Sequence, residues 1–358
     1  MTTTADVLVL GGGIAGLTIA LAAADRGLSV VVLDTPKTGA ASRAAAGMLA
    51  PSVEELPPEM LVHALAARDF YPGFLQRLTE QTGIEVPLDR SGILQLVPPE
   101  DLLRMRAHAP PTAEWLDEEG IAAFDPDFTG HPGALFHPDD GAVDNLALMD
   151  ALERAVGRVA SINRVAAEVL SIDATQRSAL TRTRGRFFAS SIVLAVGAWA
   201  GAISGLPRQI AVRPVRGQLL RLEAAPPRHV TYGGGGYLVP RNDTVIVGAT
   251  SEEAGFENET SLAGLSLLRN IAARNIPALA GALVVDHWAG LRPMSADGHP
   301  VLGPDPLAPS LFYACGYSRN GILFGPWAAE QIALAVAGEP APSLASFSVD
   351  RTSLTVAS

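Results

Sequence analysis

The glycine-rich stretch G-G-G-I-A-G near the N-terminus has the spacing of a dinucleotide-binding loop. Gly11 permits a tight turn, Gly13 lets a pyrophosphate approach the backbone, and Gly16 lets the next helix pack closely on a strand. Ile14 and Ala15 complete the stretch, whose N–H groups at a helix N-terminus favour an anion. The stretch therefore predicts a dinucleotide site.

An acidic residue further along the chain strengthens this prediction. Asp34 ends the apolar run S-V-V-V-L-D, where its carboxylate can accept hydrogen bonds from an adenosine ribose. A glycine turn followed by a strand-capping aspartate is the alternative. The fingerprint does not separate NAD from FAD. The glycine run at 233–236 precedes a strand, Y-L-V-P, and not a helix, so we expect a single dinucleotide site.

Arg292, in D-H-W-A-G-L-R-P, is a candidate anion-binding residue. Its neighbours read as buried strand, and a guanidinium taken from water needs an anionic partner. A substrate carboxylate held bidentately would serve, and a structural pair with Asp or Glu is the alternative. No Ser/His/Asp triad or Cys/His metal spacing competes, and we expect neither His287 nor His299 to act as a base.

Apolar periodicity indicates the elements that position these residues. Residues 5–10 form a continuous apolar run typical of a buried strand, helical spacing follows from Ile14, and Gly27 ends the helix. With the strand that ends at Asp34, this is a β-α-β unit. Residues 158–196 read as further strands of the same layer, ending in the buried run S-I-V-L-A-V.

The whole pattern predicts an α/β fold in which a Rossmann-like domain is interleaved with an antiparallel α+β substrate domain. We assign residues 1–83, 142–210 and 286–358 to the first domain. Residues 84–141 and 211–285 are assigned to the second, with Asn242-Asp243 as a hairpin turn between two of its strands.

Composition excludes several classes of protein. The chain has 26 basic and 37 acidic residues, a net charge of −11, and no basic cluster that would bind nucleic acid. A single cysteine, Cys315, fits a cytoplasmic protein without internal disulfides. The first six residues carry no positive charge, and the uncharged run at 189–207 is broken by glycines and a proline, so neither a signal peptide nor a membrane span is expected.

Several longer motifs point to a family. They are G-A-A-S-R-A-A-A-G-M-L-A-P (39–51), V-R-P-V-R-G-Q (212–218), Y-L-V-P-R (237–241), V-I-V-G-A-T (245–250), W-A-G-L-R-P-M-S-A-D-G-H-P-V-L-G-P (288–304) and G-Y-S-R-N-G-I-L-F-G-P (316–326). In this order, and with the glycine stretch, they resemble the D-amino-acid-oxidase-like (DAO) flavoproteins, in the form of the glycine oxidase branch. The resemblance covers essentially the whole chain and implies a glutathione-reductase-like fold that binds FAD. Sarcosine-oxidase-like relatives tether flavin through a cysteine where this chain has Gly290 and Leu291, so the FAD is expected to be non-covalent.

The resemblance also implies roles for individual residues. Tyr237, Arg292 and Arg319 would act on the substrate, with Arg292 binding its carboxylate and the Tyr237 hydroxyl orienting it. Packing within the strand is the alternative for Tyr237. Ser42 and Arg43 would contact phosphate or ribitol, and the small residues after them would let the backbone lie against a flat flavin ring. A plain alanine-rich helix is the alternative for that segment. The remaining expected cofactor contacts are Ala46, Gly47, Met48, Val165, Gly197, Trp199, Asn320, Gly321, Ile322 and Leu323.

The activity implied by the resemblance is oxidative deamination of glycine, sarcosine or small D-amino acids. Its products would be an oxo acid, ammonia or an amine, and hydrogen peroxide from dioxygen, and its context thiamine thiazole synthesis. Ser251 and Gly235 stand where glycine oxidases can carry methionine and histidine, which could alter substrate preference. A D-amino-acid dehydrogenase with another electron acceptor and a non-catalytic flavin-binding subunit are the alternatives, and a homo-oligomer is compatible with all three.

Overall fold

The computed structural model describes residues 4–54, 56–351 and 354. In chain order its strands are β1 (Thr4–Leu10), β2 (Val30–Asp34), β3 (Met48–Leu49), β4 (Leu88–Asp89), β5 (Ile93–Leu96), β6 (Glu114–Asp117), β7 (Gly133–His137), β8 (Gly141–Val143), β9 (Ile162–Ala166), β10 (Val169–Asp173), β11 (Ser178–Thr181), β12 (Gly185–Leu194), β13 (Val212–Glu223), β14 (Val230–Gly233), β15 (Gly236–Arg241), β16 (Thr244–Gly248), β17 (Leu283–Ser295), β18 (Val301–Asp305) and β19 (Ala308–Cys315).

Eight α-helices accompany these strands in the described part of the chain. They are α1 (Ile14–Ala24), α2 (Ala41–Ala44), α3 (Pro58–Thr82), α4 (Leu102–Ala107), α5 (Glu118–Phe124), α6 (Asn145–Arg158), α7 (Leu262–Asn275) and α8 (Gly321–Val336). Short 3-10 helices occur at Pro99–Asp101, Gly197–Ala202, Pro277–Gly281 and Pro342–Phe347. None of the helices in the described residues is long and apolar enough to cross a membrane.

The first sheet is built around parallel strands in the order β9-β2-β1-β12-β19. Its central strand is apolar on both faces. Val7 and Val9 pack into a core beneath the long helices α1, α3, α6 and α8, whereas Leu8 and Leu10 pack into the core on the opposite face. Cys315 is fully buried at the end of β19. These observations confirm the β-α-β opening and the predicted α/β fold.

The second sheet is largely antiparallel, in the order β17-β13-β16-β15-β14-β5-β7-β6. Helix α7 covers one of its faces. A three-stranded sheet, β3-β8-β4, packs against both layers: Leu49 and Val143 join the core under the long helices, and Ala142 joins a core with the second sheet. The predicted hairpin at Asn242 is present, and Asn242 has the left-handed φ of 52° that such a turn needs. The glycine run at 233–236 is the turn between β14 and β15, as its following strand indicates.

One predicted domain boundary is wrong. We assign residues 286–358 to the dinucleotide-binding domain, but β17 pairs with β13 along almost its whole length, from Leu283 to Ser295. Residues 286–295 therefore belong to the antiparallel sheet. The apolar pattern of this strand predicts that it is buried, but a pattern cannot show which distant strand it pairs with. The other domain limits stay a prediction.

Candidate active site

The glycine stretch forms a cradle at the carboxyl edge of the parallel sheet. Gly11 has φ of +108°, and a Cβ there would lie 2.4 Å from the carbonyl oxygen of Ala195. A Cβ on Gly16 would lie 1.9 Å from the carbonyl oxygen of Gly11, so close packing of α1 on β1 requires glycine. The first helical amide, that of Ile14, donates to Ser42 Oγ at 3.0 Å. Gly11, Gly12 and Gly13 line the cleft, so the backbone of this turn faces it as a pyrophosphate requires.

Asp34 stands at the tip of β2, beside this cradle. Its Oδ1 accepts a hydrogen bond from the Gly12 amide at 2.9 Å, which fixes the carboxylate in the cleft. Beyond it, Lys37 Nζ lies 3.0 Å from Glu168 Oε1 and 5.6 Å from the ring centre of Trp199. These groups line one part of the cleft. Lys37 and Glu168 could not be predicted from the sequence, because a partly exposed ion pair has no local pattern.

The alanine-rich segment is not a long helix. Only Ala41–Ala44 are helical, and the backbone that follows is held by donors from other elements. Trp288 Nε1 donates to the Ala44 carbonyl at 2.8 Å, and Arg241 Nη2 donates to that of Ala46, also at 2.8 Å. A Cβ on Gly47 would lie 1.9 Å from a carbonyl oxygen of β8. The segment therefore presents nearly bare backbone to the cleft.

A single cavity of about 830 Å³ joins these parts. Most of the predicted cofactor residues line it: Gly11, Gly13, Ile14, Ala15, Asp34, Ser42, Arg43, Ala46, Gly47, Met48, Gly197, Trp199, Asn320, Gly321 and Ile322. Its size is that of a site for a large ligand. A glycine cradle, an acidic strand tip and a bare backbone wall in one cavity are what FAD requires, so the residues present fit this cofactor.

Three predicted contacts lie outside the cavity lining, and one is paired within the protein. Gly16 allows the close helix packing described above. Val165 lies on β9 between Arg164 and Ala167, which do line the cavity, and Leu323 is buried in the core. Arg43 lines the cavity, but its guanidinium lies 2.9 Å from Asp150 Oδ1 and also pairs with Glu153. The contacts of these residues with FAD stay predictions.

Arg292 lies at the far end of the same cavity, on β17. Its Nη1 donates to the Thr250 carbonyl at 2.9 Å. Among the described residues it has no carboxylate partner, so the structural ion pair considered from the sequence is absent from this part of the chain. Gly217, on the neighbouring strand, lies directly beneath the guanidinium. The guanidinium also interacts with the Tyr237 hydroxyl, and its remaining N–H donors are available to a bound anion.

Replacing Gly217 tests this arrangement. A Cβ there would lie 2.3 Å from Arg292 Nη1 and 2.5 Å from its Cζ. Because these atoms belong to a flexible side chain, the guanidinium must move but the backbone need not change. We expect Gly217→Ala to keep bound FAD and to raise KM for a carboxylate substrate about 10- to 100-fold, measured by steady-state kinetics. Gly157→Ala, at a helical position with nothing within 4 Å, is the matched control. An unchanged KM in Gly217→Ala would contradict the proposed position of Arg292.

Tyr237 and Tyr232 face each other across the β14–β15 hairpin and both line the cavity. Burial raises the pKa of Tyr237 above its ordinary value of 10.0, and the nearby Arg292 and Arg319 oppose that rise only in part. The phenol of Tyr237 therefore stays neutral across the working pH range and can donate a hydrogen bond. Tyr232 was missed from the sequence, although the four-glycine turn places it opposite Tyr237 by hairpin register.

The neutral state of Tyr237 predicts a pH profile. An acid whose pKa is raised keeps its proton to a higher pH. A change of kcat/KM with pH between pH 6 and about 10 would therefore not come from ionisation of Tyr237. We expect Tyr237→Phe to lower kcat/KM about tenfold without changing the shape of the profile in this range. Loss of an alkaline limb in the phenylalanine variant, seen in initial rates against pH, would show that the phenol ionises after all.

Arg319 also reaches the cavity, from the loop before α8. Its side chain is half exposed and its Nη2 contacts Oε2 of Glu54. Glu54 lines the same cavity and was missed from the sequence, because an isolated acid in a turn carries no motif. Neither His287 nor His299 lines the cavity; His287 is exposed and its Nδ1 lies 2.9 Å from the Thr260 hydroxyl.

A family model described as FAD dependent oxidoreductase, DAO, matches residues 6–335. A bifunctional ThiO/ThiG protein of Synechocystis sp. is 37% identical over 98% of this chain, which spans only 54% of that relative. The chain thus spans about half the length of the bifunctional relatives that it matches. A glycine oxidase of Geobacillus kaustophilus is 34% identical, with 98% of each chain covered.

Solved structures agree with these matches. A crystal structure of the Geobacillus kaustophilus glycine oxidase aligns with a TM-score of 0.90 and 32% identity, covering 98% of this chain and 99% of the other. An iminodiacetate oxidase of Chelativorans sp. BNC1 aligns with a TM-score of 0.85 and 25% identity, covering 96% and 98%. The predicted interleaved two-sheet fold is therefore confirmed.

Proposed function

The chain belongs to the FAD-dependent oxidoreductase (DAO) family, and from this premise we propose that it oxidises the amine of glycine and of similarly small amino acids. The proposal rests mainly on one observation. Arg292, which no carboxylate of the described residues neutralises, lines the same cavity as the glycine cradle, beside the neutral phenol of Tyr237. A guanidinium that can bind bidentately, next to a hydrogen-bond donor, suits the carboxylate of an amino acid.

The cofactor is held by the residues that fit it. We assign the pyrophosphate to the cradle at Gly11 and Gly13, the adenosine ribose to Asp34, and the ring to the backbone of residues 44–47. When bound there, FAD supplies a two-electron acceptor for a hydride from carbon. No residue near Gly290 or Leu291 offers a thiol, so the proposed FAD is non-covalent.

The protein's own residues position the substrate. Arg292 binds the carboxylate, Tyr237 donates to it, and the Thr250 carbonyl fixes the orientation of Arg292. We infer that the neutral amine reacts, because a hydride leaves carbon more readily when the nitrogen lone pair can form the imine. No protein base is assigned to this step, and the chain's contribution is orientation and charge.

The proposed overall reaction converts glycine, water and dioxygen to glyoxylate, ammonia and hydrogen peroxide. Sarcosine and small D-amino acids would follow the same course, with an amine released from sarcosine. We place the reaction in the cytoplasm and in the synthesis of the thiamine thiazole, the role implied by the resemblance to glycine oxidases. The related glycine oxidases and ThiO/ThiG proteins support this proposal.

Measuring turnover with dioxygen as the electron acceptor tests the proposal. Purified protein carrying FAD is mixed with glycine, sarcosine, D-alanine or D-proline, and oxygen uptake, peroxide and the oxo acid are measured together. We expect equal amounts of peroxide and oxo acid. Electron transfer to an added quinone or dye, without oxygen uptake, would favour the dehydrogenase instead. Protein that binds no flavin would refute the entire proposal.

A further inference from the structure

An acidic side chain lies inside the substrate end of the cavity, where a carboxylate substrate is proposed to bind. Glu54 follows β3 in a turn, and its side chain is only 13% exposed. Its carboxylate contacts the guanidinium of Arg319, and both side chains line the cavity with Tyr237. An acid that is largely buried beside an anion site needs an explanation, since it repels the ligand.

The charges at this end of the cavity do not balance. Arg292 and Arg319 contribute two positive charges, and Glu54 removes one of them by pairing with Arg319. Glu54 and both arginines line the same cavity as Tyr237, and all three charges act on the pKa of its phenol. The pairing with Glu54 also raises the pKa of Arg319, against the lowering effect of burial. One unpaired positive charge therefore remains, at Arg292.

We propose that Glu54 determines substrate selectivity: it restricts the site to amino acids with one carboxylate by occupying Arg319 and repelling a second carboxylate. This inference rests on the proposed function. Without Glu54, Arg319 becomes a second carboxylate subsite in the same cavity. Amines with two carboxylates, such as N-carboxymethyl amino acids and acidic D-amino acids, are then admitted.

Charge arithmetic supports this inference. A monocarboxylate whose amine is neutral carries one negative charge, which Arg292 matches. A dicarboxylate carries two, and its second charge would meet a carboxylate already hydrogen-bonded to the only other cation at this end of the described cavity. If this specificity depends on repulsion by Glu54, neutralising the Glu54 side chain should remove the discrimination against dicarboxylates. A purely structural role for Glu54, holding the loop before α8, would weaken the binding of all ligands equally.

The test compares two ligands of equal length that cannot be oxidised at an amine. Valerate and glutarate both have five carbons, and glutarate has a second terminal carboxylate. Their dissociation constants for the FAD-bound enzyme are measured from the perturbation of the flavin absorbance, without turnover. We expect the wild-type protein to bind valerate more tightly than glutarate. We expect Glu54→Gln to shift this ratio toward glutarate by about tenfold or more.

Control variants separate selectivity from general damage. Glu253→Gln removes a comparable Arg–Glu pair, with Arg213, at the exposed surface, and its ratio should equal that of the wild type. Adding Arg319→Gln to Glu54→Gln should return the ratio to the wild-type value, because the second subsite is removed. If Glu54→Gln does not retain FAD, Arg319→Gln alone serves, and its ratio should shift further toward valerate.

The outcomes are distinct. A glutarate-to-valerate ratio that is unchanged in Glu54→Gln, or unchanged in Arg319→Gln where that variant is used, would overturn the role of Glu54. Failure of the proposed function has another signature, namely valerate binding that is equally tight in the wild type and in Arg292→Ala. Turnover of iminodiacetate by Glu54→Gln, exceeding that by the wild type relative to glycine, would extend the result from binding to reaction.

Discussion

Arg292→Ala should lower kcat/KM for glycine about 100-fold or more, mostly through a higher KM. The guanidinium is the one described cation in the substrate end of the cavity that no protein carboxylate neutralises. Its loss removes charge-assisted hydrogen bonds to the substrate carboxylate, which amounts to about 2.7 kcal/mol for a 100-fold effect. Initial rates over a wide range of glycine concentrations measure it. Arg292→Lys keeps the positive charge but cannot bind the carboxylate bidentately, so its kcat/KM should lie between those of the wild type and Arg292→Ala.

The matched control for this variant is Arg213→Ala. Arg213 lies on β13, the neighbour of β17, but it is exposed and pairs with Glu253 at 2.9 Å. Its loss should leave kcat/KM within about twofold, since exposed ion pairs contribute little. Equal effects of the two substitutions would mean that the carboxylate is not bound at Arg292.

Gly11→Ala should give protein that purifies without FAD. The residue needs a φ of +108°, and its added Cβ would lie 2.4 Å from the backbone oxygen of Ala195, which cannot rotate away. The turn must then open, and the amides that face the pyrophosphate move with it. We expect the affinity for FAD to fall at least about 100-fold, measured by the ratio of flavin to protein absorbance and by titration with FAD.

Gly27→Ala separates this effect from backbone strain alone. Gly27 also has a left-handed φ, of +78°, at the end of α1, but a Cβ there meets nothing within 4 Å. The variant should lose about 1 kcal/mol of stability and keep full FAD content. Full FAD content in Gly11→Ala would show that the glycine stretch is not the cofactor cradle.

Local elements were predictable because their signals are local. The opening strand, helix and second strand follow from a run of apolar residues, a helical period and a terminal glycine, and the structure places all three as predicted. The hairpin at Asn242 follows from turn chemistry in the same way. The partner of β17 did not follow, because residues 286–295 carry the apolar pattern of any buried strand. Only its long-range pairing with β13 decides the sheet.

The same distinction holds within the candidate site. Arg292 could be found because a charge within an apolar strand is unusual, and Asp34 because it completes a fingerprint. Glu54 and Gly217 could not, since their importance arises only from contacts with Arg319 and Arg292 on distant elements. Tyr232 is an intermediate case. Its position opposite Tyr237 follows from the strand register on either side of the glycine turn, which is a local feature of the sequence.

Anaerobic mixing with glycine tests the central proposal most directly, since it isolates the reaction at carbon from the later transfer to oxygen. Purified protein carrying FAD is mixed with glycine in the absence of oxygen, and the absorbance of the oxidised flavin is followed. We expect a saturable loss of this absorbance, with the glycine concentration for half-maximal rate raised about 100-fold in Arg292→Ala. An oxidised flavin that persists at saturating glycine, sarcosine and D-alanine in the wild-type protein would contradict it.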